Sequence, residues 1–133
     1  MNYKQITNEI CKVAGQILNV NSTTVGDIYT TLAEPNIRFS NINISLENVD
    51  KDGSNLTYNM ILYYSDRVIQ DDKNIIEIQT DAIQKLSALI DALDYLQAQE
   101  ISTITPFQQQ FTDYLAGAYA TITITTAQDV CDI

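Results

Sequence analysis

The sequence predicts an α+β fold: a mostly antiparallel sheet with a long β-hairpin, packed against two helices in the order α–β–β–α–β. Three observations favour this class. Apolar residues recur at helical spacing near the N-terminus and again after residue 72, a two-residue period runs between residues 37 and 64, and another runs over residues 119–126. With 133 residues, the chain is predicted to form one domain, residues 1–133.

The first predicted element is a helix over residues 3–18. Its apolar stripe is formed by residues three or four positions apart, namely Ile6, Ile10, Val13, Ala14 and Ile17. Residues 19–26 are rich in Asn, Ser and Thr and end in a glycine, a composition that stops helices. Residues 27–36 are therefore predicted to be irregular, with Pro35 closing them.

The clearest local prediction is a long hairpin. Its first strand directs Ile42, Ile44 and Leu46 to one face and Asn41, Asn43 and Ser45 to the other, and its second strand directs Leu56, Tyr58, Met60, Leu62 and Tyr64 to one face. Residues 50–55 form a turn cluster in which Asp52-Gly53 supplies the positive φ that a hairpin needs. Strands of about ten residues exceed the usual ~5–6, so we expect the hairpin to project beyond its sheet.

A second helix is predicted from residue 72 to residue 97, with Asp71 and Asp72 as its cap. Its apolar residues again lie three or four positions apart, at Ile75, Ile78, Ala82, Leu86, Leu89, Leu93 and Leu96. This long stripe predicts a helix that lies along the sheet and buries one face.

The last part of the chain is predicted to be mainly extended. Residues 101–106 form a connector or short strand, and residues 107–114 form a short strand that leads into a loop ended by Gly117. The final strand, residues 119–126, directs Ala120, Ile122 and Ile124 to one face and Tyr119, Thr121, Thr123 and Thr125 to the other. Threonine-rich strands suit a half-exposed sheet.

The charge balance disfavours nucleic acid and membrane partners. Seventeen acidic against seven basic residues give a net charge of −10, and no basic residue follows Lys85. Such a surface repels phosphate and anionic lipid, so neither specific DNA binding nor membrane binding is expected. The N-terminus has no apolar signal region, and no stretch reaches the eighteen apolar residues typical of a membrane span.

The residue types present also argue against catalysis. The chain has no histidine, which excludes Ser-His and Cys-His nucleophile pairs and histidine-ligated zinc, and its four glycines form no phosphate-binding loop. We therefore expect no enzyme activity and no cofactor or metal. Cys11 and Cys131, the only two cysteines, are expected to be free thiols.

Three acidic patterns have a functional interpretation that we weigh against a structural one. Glu77 with Asp81, and Asp91 with Asp94, could form metal or acid–base pairs, but a solvated helix face is the favoured interpretation. The turn at residues 50–55 could bind calcium through its Asp and Asn oxygens. Its glycine is misplaced for an EF-hand and no glutamate lies in register, so a hairpin turn is favoured.

The hairpin carries apolar side chains on both faces, which points to protein binding. Ile61 and Tyr63 lie opposite Met60, Leu62 and Tyr64 on the second strand. Two helices cannot cover both faces of the sheet, and tyrosine is enriched at protein interfaces. A stacking platform for single-stranded nucleic acid would need a basic groove, which the chain lacks. The candidate interface residues are Tyr58, Ile61, Tyr63, Tyr119, Thr121 and Thr123.

Two segments together carry a resemblance to a known family. One is the long hairpin followed by a capped helix. The other is Pro106-Phe107, then Phe111-x-Asp113-x-Leu115-Ala116-Gly117-x-Tyr119, the alternating strand to Thr125, and a closing Asp129-x-Cys131. Residues 37–133 resemble small proteins of bacteriophage neck and tail modules, the tail-terminator and head–tail connector group.

The resemblance implies a structural virion protein, assembled in the bacterial host cytoplasm and placed in the phage neck or tail. It implies an α+β sandwich that forms a homo-oligomeric ring, whose partners are copies of itself and neighbouring neck, tail or portal-proximal proteins. The genome would pass the acidic lumen without specific binding. The alternative is a small adaptor or assembly chaperone that acts through protein–protein binding and is absent from the virion.

Overall fold

The structure, a computed structural model, describes residues 1–32, 37–69, 74–96, 99–110 and 114–127. The helices are α1 (Tyr3–Ile17), α2 (Ile28–Thr31) and α3 (Ile75–Ala92), and a 3-10 turn covers Asp94–Leu96. The strands are β1 (Ser22–Val25), β2 (Asn41–Asp52), β3 (Asn55–Arg67), β4 (Gln99–Gln110) and β5 (Tyr114–Ala127). The protein is an α+β fold, as the sequence predicts.

The five strands form one sheet in the order β1-β2-β3-β5-β4. Only β1 and β2 pair in parallel, and the other neighbours are antiparallel. The hairpin strand β3 is central, with β2 on one side and β5 on the other. Pro106 lies in β4, an edge strand, where the missing N–H of proline is tolerated.

The helix face of the sheet, covered by α1 and α3, holds the main core. The predicted alternation is confirmed there, because the buried residues include Ile42, Ile44, Tyr58, Met60, Leu62, Tyr64, Ala120, Ile122 and Ile124. The helices contribute the stripes predicted for them, including Ile6, Ile10, Ala14, Ile78, Ala82, Leu86 and Leu89. Side chains from elements far apart in the sequence thus meet in one cluster, and their burial is the main source of stability.

The opposite side of the sheet, which we call the open face, is covered only at one end within the described residues. There α2 contributes Ile28 and Leu32, which bury Leu115 of β5 and pack against Ile37, Phe39 and Tyr63. A helix of four residues covers little area. The central part of the open face, on β3 and β5, therefore stays accessible.

Local interactions explain where the helices begin. Asn2 caps α1 in a capping box, accepting from the Gln5 amide at 2.9 Å while the Gln5 side chain accepts from the Asn2 amide. α3 begins after Asn74, whose side chain accepts from the Ile69 amide and donates to the Arg67 carbonyl, and so joins the helix to the end of β3. The predicted cap at residues 71–72 lies outside the described residues.

The hairpin is confirmed and is longer than predicted, with strands of 12 and 13 residues. Asp52 pairs with Asn55 across a two-residue turn, in which Gly53 has φ 59°. The register shifts between Leu46 and Asn48, which is a β-bulge at Glu47. β2 continues past β1, whose last pair is Val25 with Ile44, and we call the part of the sheet beyond Leu46 its projecting end. The hairpin does not project beyond the whole sheet as expected, because β5 pairs with β3 as far as Asn55.

Four sequence predictions are corrected by the structure. The segment interpreted only as a helix stop contains β1, and the segment interpreted as irregular contains α2. Gly117 lies inside β5 instead of ending a loop, and β4 and β5 are each longer than the short strands predicted. Pairing of β1 with β2, of β5 with β3 and of β4 with β5 stabilises extended segments whose local composition favours a turn. The short helix α2 is capped by Asp27 and packs Ile28 against Leu115.

Asn41 and Asn43 direct their side chains to the open face, as predicted, but β1 and the following turn bury both completely. The Asn43 amide donates to the Gly26 carbonyl at 3.1 Å, and its oxygen accepts from the Thr24 hydroxyl at 2.8 Å. The Asn41 amide donates to Ser22 and Thr24. These bonds fix the parallel strand β1 beside β2.

Asn43→Ala is expected to lower the free energy of unfolding by about 2 kcal/mol, because the Thr24 hydroxyl and the Gly26 carbonyl lose a buried partner. Asn59→Ala is the matched control. Asn59 also makes two side-chain bonds, to Asn48 and Asp50, but water can replace them, so about 0.5 kcal/mol is expected. Urea unfolding followed by circular dichroism measures both, and equal losses would contradict the role of burial.

Candidate protein-binding surface

The central open face is a ladder of cross-strand pairs between β3 and β5. Ile61 pairs with Thr121, Asn59 pairs with Thr123, and Tyr63 pairs with Tyr119. All six side chains are half-buried. Five of the six predicted interface residues, all except Tyr58, therefore lie side by side on one surface.

Tyr58 does not belong to this surface. It lies on the helix face, is 6% exposed, and stacks on Tyr3 of α1 with ring centroids 6.1 Å apart. The strand period places it opposite Ile61 and Tyr63, because even and odd residues of β3 face opposite sides. Its assignment as an interface residue is corrected: Tyr58 anchors α1 to the sheet.

At the projecting end, the open face is polar. The Thr57 and Thr125 hydroxyls lie 2.9 Å apart in a hydrogen bond, and the Asn59 amide donates to Asn48 at 2.6 Å and to Asp50 at 2.9 Å. These groups are partly exposed and can exchange their partners for groups of another protein at little cost. This part of the surface therefore offers a partner mainly hydrogen-bonding groups and little apolar area.

At the end nearer α2, the open face contains an aromatic cleft. Tyr63, Phe107 and Tyr119 contact each other, with ring centroids 5.5 Å apart for the two tyrosines and 6.3 and 6.4 Å for their contacts with Phe107. The cleft has a volume of ≈ 350 Å³ and is lined by Ile28, Tyr29, Tyr63, Thr105, Pro106, Phe107, Gln109 and Tyr119.

The cleft lies in a negative electrostatic environment. Burial raises the pKa of Tyr63, and the neighbouring groups Tyr29, Tyr119, Asp27 and Glu47 raise it further. Asp27 is the N-cap of α2, and its carboxylate accepts from the Thr30 amide at 3.0 Å. The helix cap holds Asp27 in place, and the charges of Asp27 and Glu47 both act on the phenol of Tyr63, where they favour a positive charge.

Two described basic residues make aromatic contacts outside the lining of the cleft. The Arg67 guanidinium lies over the ring of Phe39, 5.1 Å from its centroid, beside the cluster around Leu115 that also contacts Tyr63. The Lys85 ammonium lies over the ring of Tyr64 on the helix face, at 5.2 Å. Among the described residues that line the cleft, none is a cation.

The acidic pairs lie on an exposed helix face, which is the position that was favoured for them. Glu77, Asp81, Asp91 and Asp94 are exposed on and just after α3, and no group of three metal-ligating residues occurs among the described residues. Cys11 is a half-buried free thiol whose pKa is raised by burial, against the opposing effect of a hydrogen bond with Thr23. Cys131 lies outside the described residues. No helix in the described ranges is long and apolar enough to cross a membrane.

Sequence reasoning did not identify Tyr29 and Phe107 as parts of the surface. Tyr29 belongs to α2, in a stretch interpreted as irregular, and Phe107 entered the sequence analysis only as part of the motif that carries the family resemblance. Phe107 could have been found from the alternation of β4, because Thr105, Phe107 and Gln109 share one face. No local signal places Tyr29 beside Tyr63.

Comparisons with known proteins do not identify this chain. No protein-family profile matches it, and no curated protein matches it. The histidine kinase AdeS of Acinetobacter baumannii is a structural neighbour with 14% identity and a TM-score of 0.29, covering 97% of this chain and 66% of that chain. A likeness at that TM-score supports no conclusion about function.

Proposed function

We propose that this protein is a structural subunit of a bacteriophage neck or tail that forms a ring of identical copies. The observation that carries the assembly part is the open face, which the described residues leave uncovered around Ile61 on β3, the central strand of the sheet. The placement in a phage particle rests on the sequence resemblance of residues 37–133.

The apolar residues on the open face of the sheet support a role for this face in protein binding. Aromatic and β-branched residues in the centre of a sheet are normally covered, because uncovered apolar strand surface promotes aggregation. Leu46 and Val49 add exposed apolar side chains on the helix side of the projecting part of β2. Contacts with two neighbouring proteins, one on each side of the sheet, would remove both areas from water.

A closed ring needs two different surfaces that fit each other, since identical copies then join head to tail. The open face and the opposite side of the projecting part of β2, which carries Leu46 and Val49, are two such surfaces on one chain. The net charge of −10 would give the lumen a negative potential, which lets DNA pass without binding.

Ile61→Glu is expected to leave the fold intact and to convert the ring into single chains, because a carboxylate in the interface would lose its hydration. Ser87→Glu is the matched control: it adds the same charge at an exposed position of α3 and should leave the assembly unchanged. Light scattering after size exclusion measures the mass, and circular dichroism checks the fold.

Two outcomes would count against the proposal. A wild-type chain that stays monomeric at high concentration, with neck and tail partners present, would contradict ring formation. Normal rings from folded Ile61→Glu, and also from Thr121→Glu across the ladder, would show that the open face is not the interface.

A further inference from the structure

We propose that the aromatic cleft binds the side chain of an arginine from a neighbouring protein of a different sequence. The inference rests on the proposed protein-binding role but not on ring closure. It assigns to the cleft a partner that carries an arginine, whereas a ring of identical copies does not require such a partner.

The shape of the cleft suits a planar cation. Tyr63, Phe107 and Tyr119 present rings at several angles, and Tyr29 stands at the rim with 61% of its side chain exposed. Guanidinium groups stack on aromatic faces and are attracted by the ring quadrupole within about 6 Å. A volume of ≈ 350 Å³ is at the small end for ligand sites, which range over roughly 300–1,000 Å³, and fits one long side chain.

The charges around the cleft select a cation over a neutral or acidic group. Asp27 and Glu47 both act on the phenol of Tyr63, and no lysine or arginine is among the described residues that line the cleft. Thr105 and Gln109 belong to the lining, and their side-chain oxygens can accept from the N–H groups of a guanidinium. Arginine matches this set, because it offers five donors and an aromatic-stacking plane.

A different protein is favoured over a second copy as the source of the arginine. This chain has only two arginines, Arg38 and Arg67, and Arg67 already lies over Phe39. Two copies carry the same net charge of −10, so the long-range attraction that brings a basic partner to the cleft is absent between copies.

The test uses the purified full chain and two small probes, N-acetyl-arginine methylamide and its uncharged isostere N-acetyl-citrulline methylamide. We expect the arginine probe to shift the amide resonances of Tyr63, Thr105, Gln109 and Tyr119, with a dissociation constant in the range of about 1–10 mM. The citrulline probe should bind about tenfold more weakly, because it keeps the shape and loses the charge.

Two kinds of variant distinguish the contribution of the aromatic side chains to arginine binding from the contribution of the carboxylates. Tyr119→Leu should weaken arginine binding by about threefold to tenfold, whereas Tyr95→Leu, which removes an exposed tyrosine bonded to Glu9 far from the cleft, should not change it. The double variant Asp27→Asn, Glu47→Gln keeps the shape and, since asparagine also caps helices, the start of α2. It should weaken binding by about threefold.

Equal affinity for the two probes would overturn the inference, and so would resonance shifts located away from the cleft. It is also overturned if Tyr119→Leu and the double variant both bind the arginine probe with unchanged affinity. Cleft resonances that move on dilution of the protein alone would assign the cleft to a second copy, which also overturns it. If the chain is monomeric and binds the arginine probe, this inference stands and the proposed ring is contradicted. The two proposals can therefore fail separately.

Discussion

Gly117→Ala is expected to lower the free energy of unfolding by about 3–5 kcal/mol, among the largest effects of a single substitution. A β-carbon at this position would lie 1.7 Å from the Tyr64 carbonyl oxygen, 2.8 Å from the Tyr64 carbonyl carbon and 3.2 Å from the Ser65 α-carbon. These are all backbone atoms, so no side-chain rotation can relieve the overlap. β3 and β5 must move apart, which breaks hydrogen bonds in the centre of the sheet.

Gly15→Ala provides a control with the opposite expected sign. Gly15 lies in α1, and a β-carbon there would meet no atom within 4 Å. Alanine should stabilise the helix by about 0.5–1 kcal/mol, because it restricts the unfolded chain and favours helix. Urea unfolding measures both variants. A Gly117→Ala protein within 1 kcal/mol of wild type would mean that β3 and β5 do not approach as closely as described.

Leu86→Ala is expected to cost about 3 kcal/mol. Leu86 is fully buried in the middle of α3 against the sheet, so truncation loses the transfer free energy of the removed carbons and leaves a cavity. The helix bridges β3, β4 and β5, and neighbouring strands cannot close the cavity without distorting their hydrogen bonds. Thermal and urea unfolding should both shift toward lower stability.

The matched control for this substitution is Ile76→Ala on the same helix. Ile76 is 78% exposed, so its removal loses little buried area, and alanine is the better helix former. The expected change is within about 0.5 kcal/mol of zero. Similar losses in the two variants would contradict the described orientation of α3 on the sheet.

The regular elements with strong periodicity were predictable from the sequence. The stripe from Ile6 to Ile17 and the stripe from Ile75 to Leu93 predict α1 and α3, and the alternation around Ile42–Tyr64 predicts the hairpin. These predictions succeed because the sequence period matches the geometry of the element that buries it. The turn at Gly53 was predictable for a similar reason, since Asp-Gly favours the positive φ that the hairpin uses.

The candidate surface was predictable only in part. Alternation correctly groups Ile61 with Tyr63 and groups Tyr119 with Thr121 and Thr123, but it cannot say which strand pairs with which. The pairing of β3 with β5 places the two groups together. Tyr58 was grouped with them because of its residue type, although its parity in β3 already assigns it to the helix face.

The sequence by itself determined the α+β class, the positions of α1, α3 and the hairpin, and which side chains of each strand share a face. Only the tertiary structure decided that β1 and α2 exist and that β5 approaches the backbone of β3 closely at Gly117. It also decided that Tyr29, Tyr63, Phe107 and Tyr119 meet in one cleft. The reason is physical. Periodicity records which side of a segment is buried, whereas a short parallel strand, a backbone contact and a cleft depend on which distant segments are neighbours.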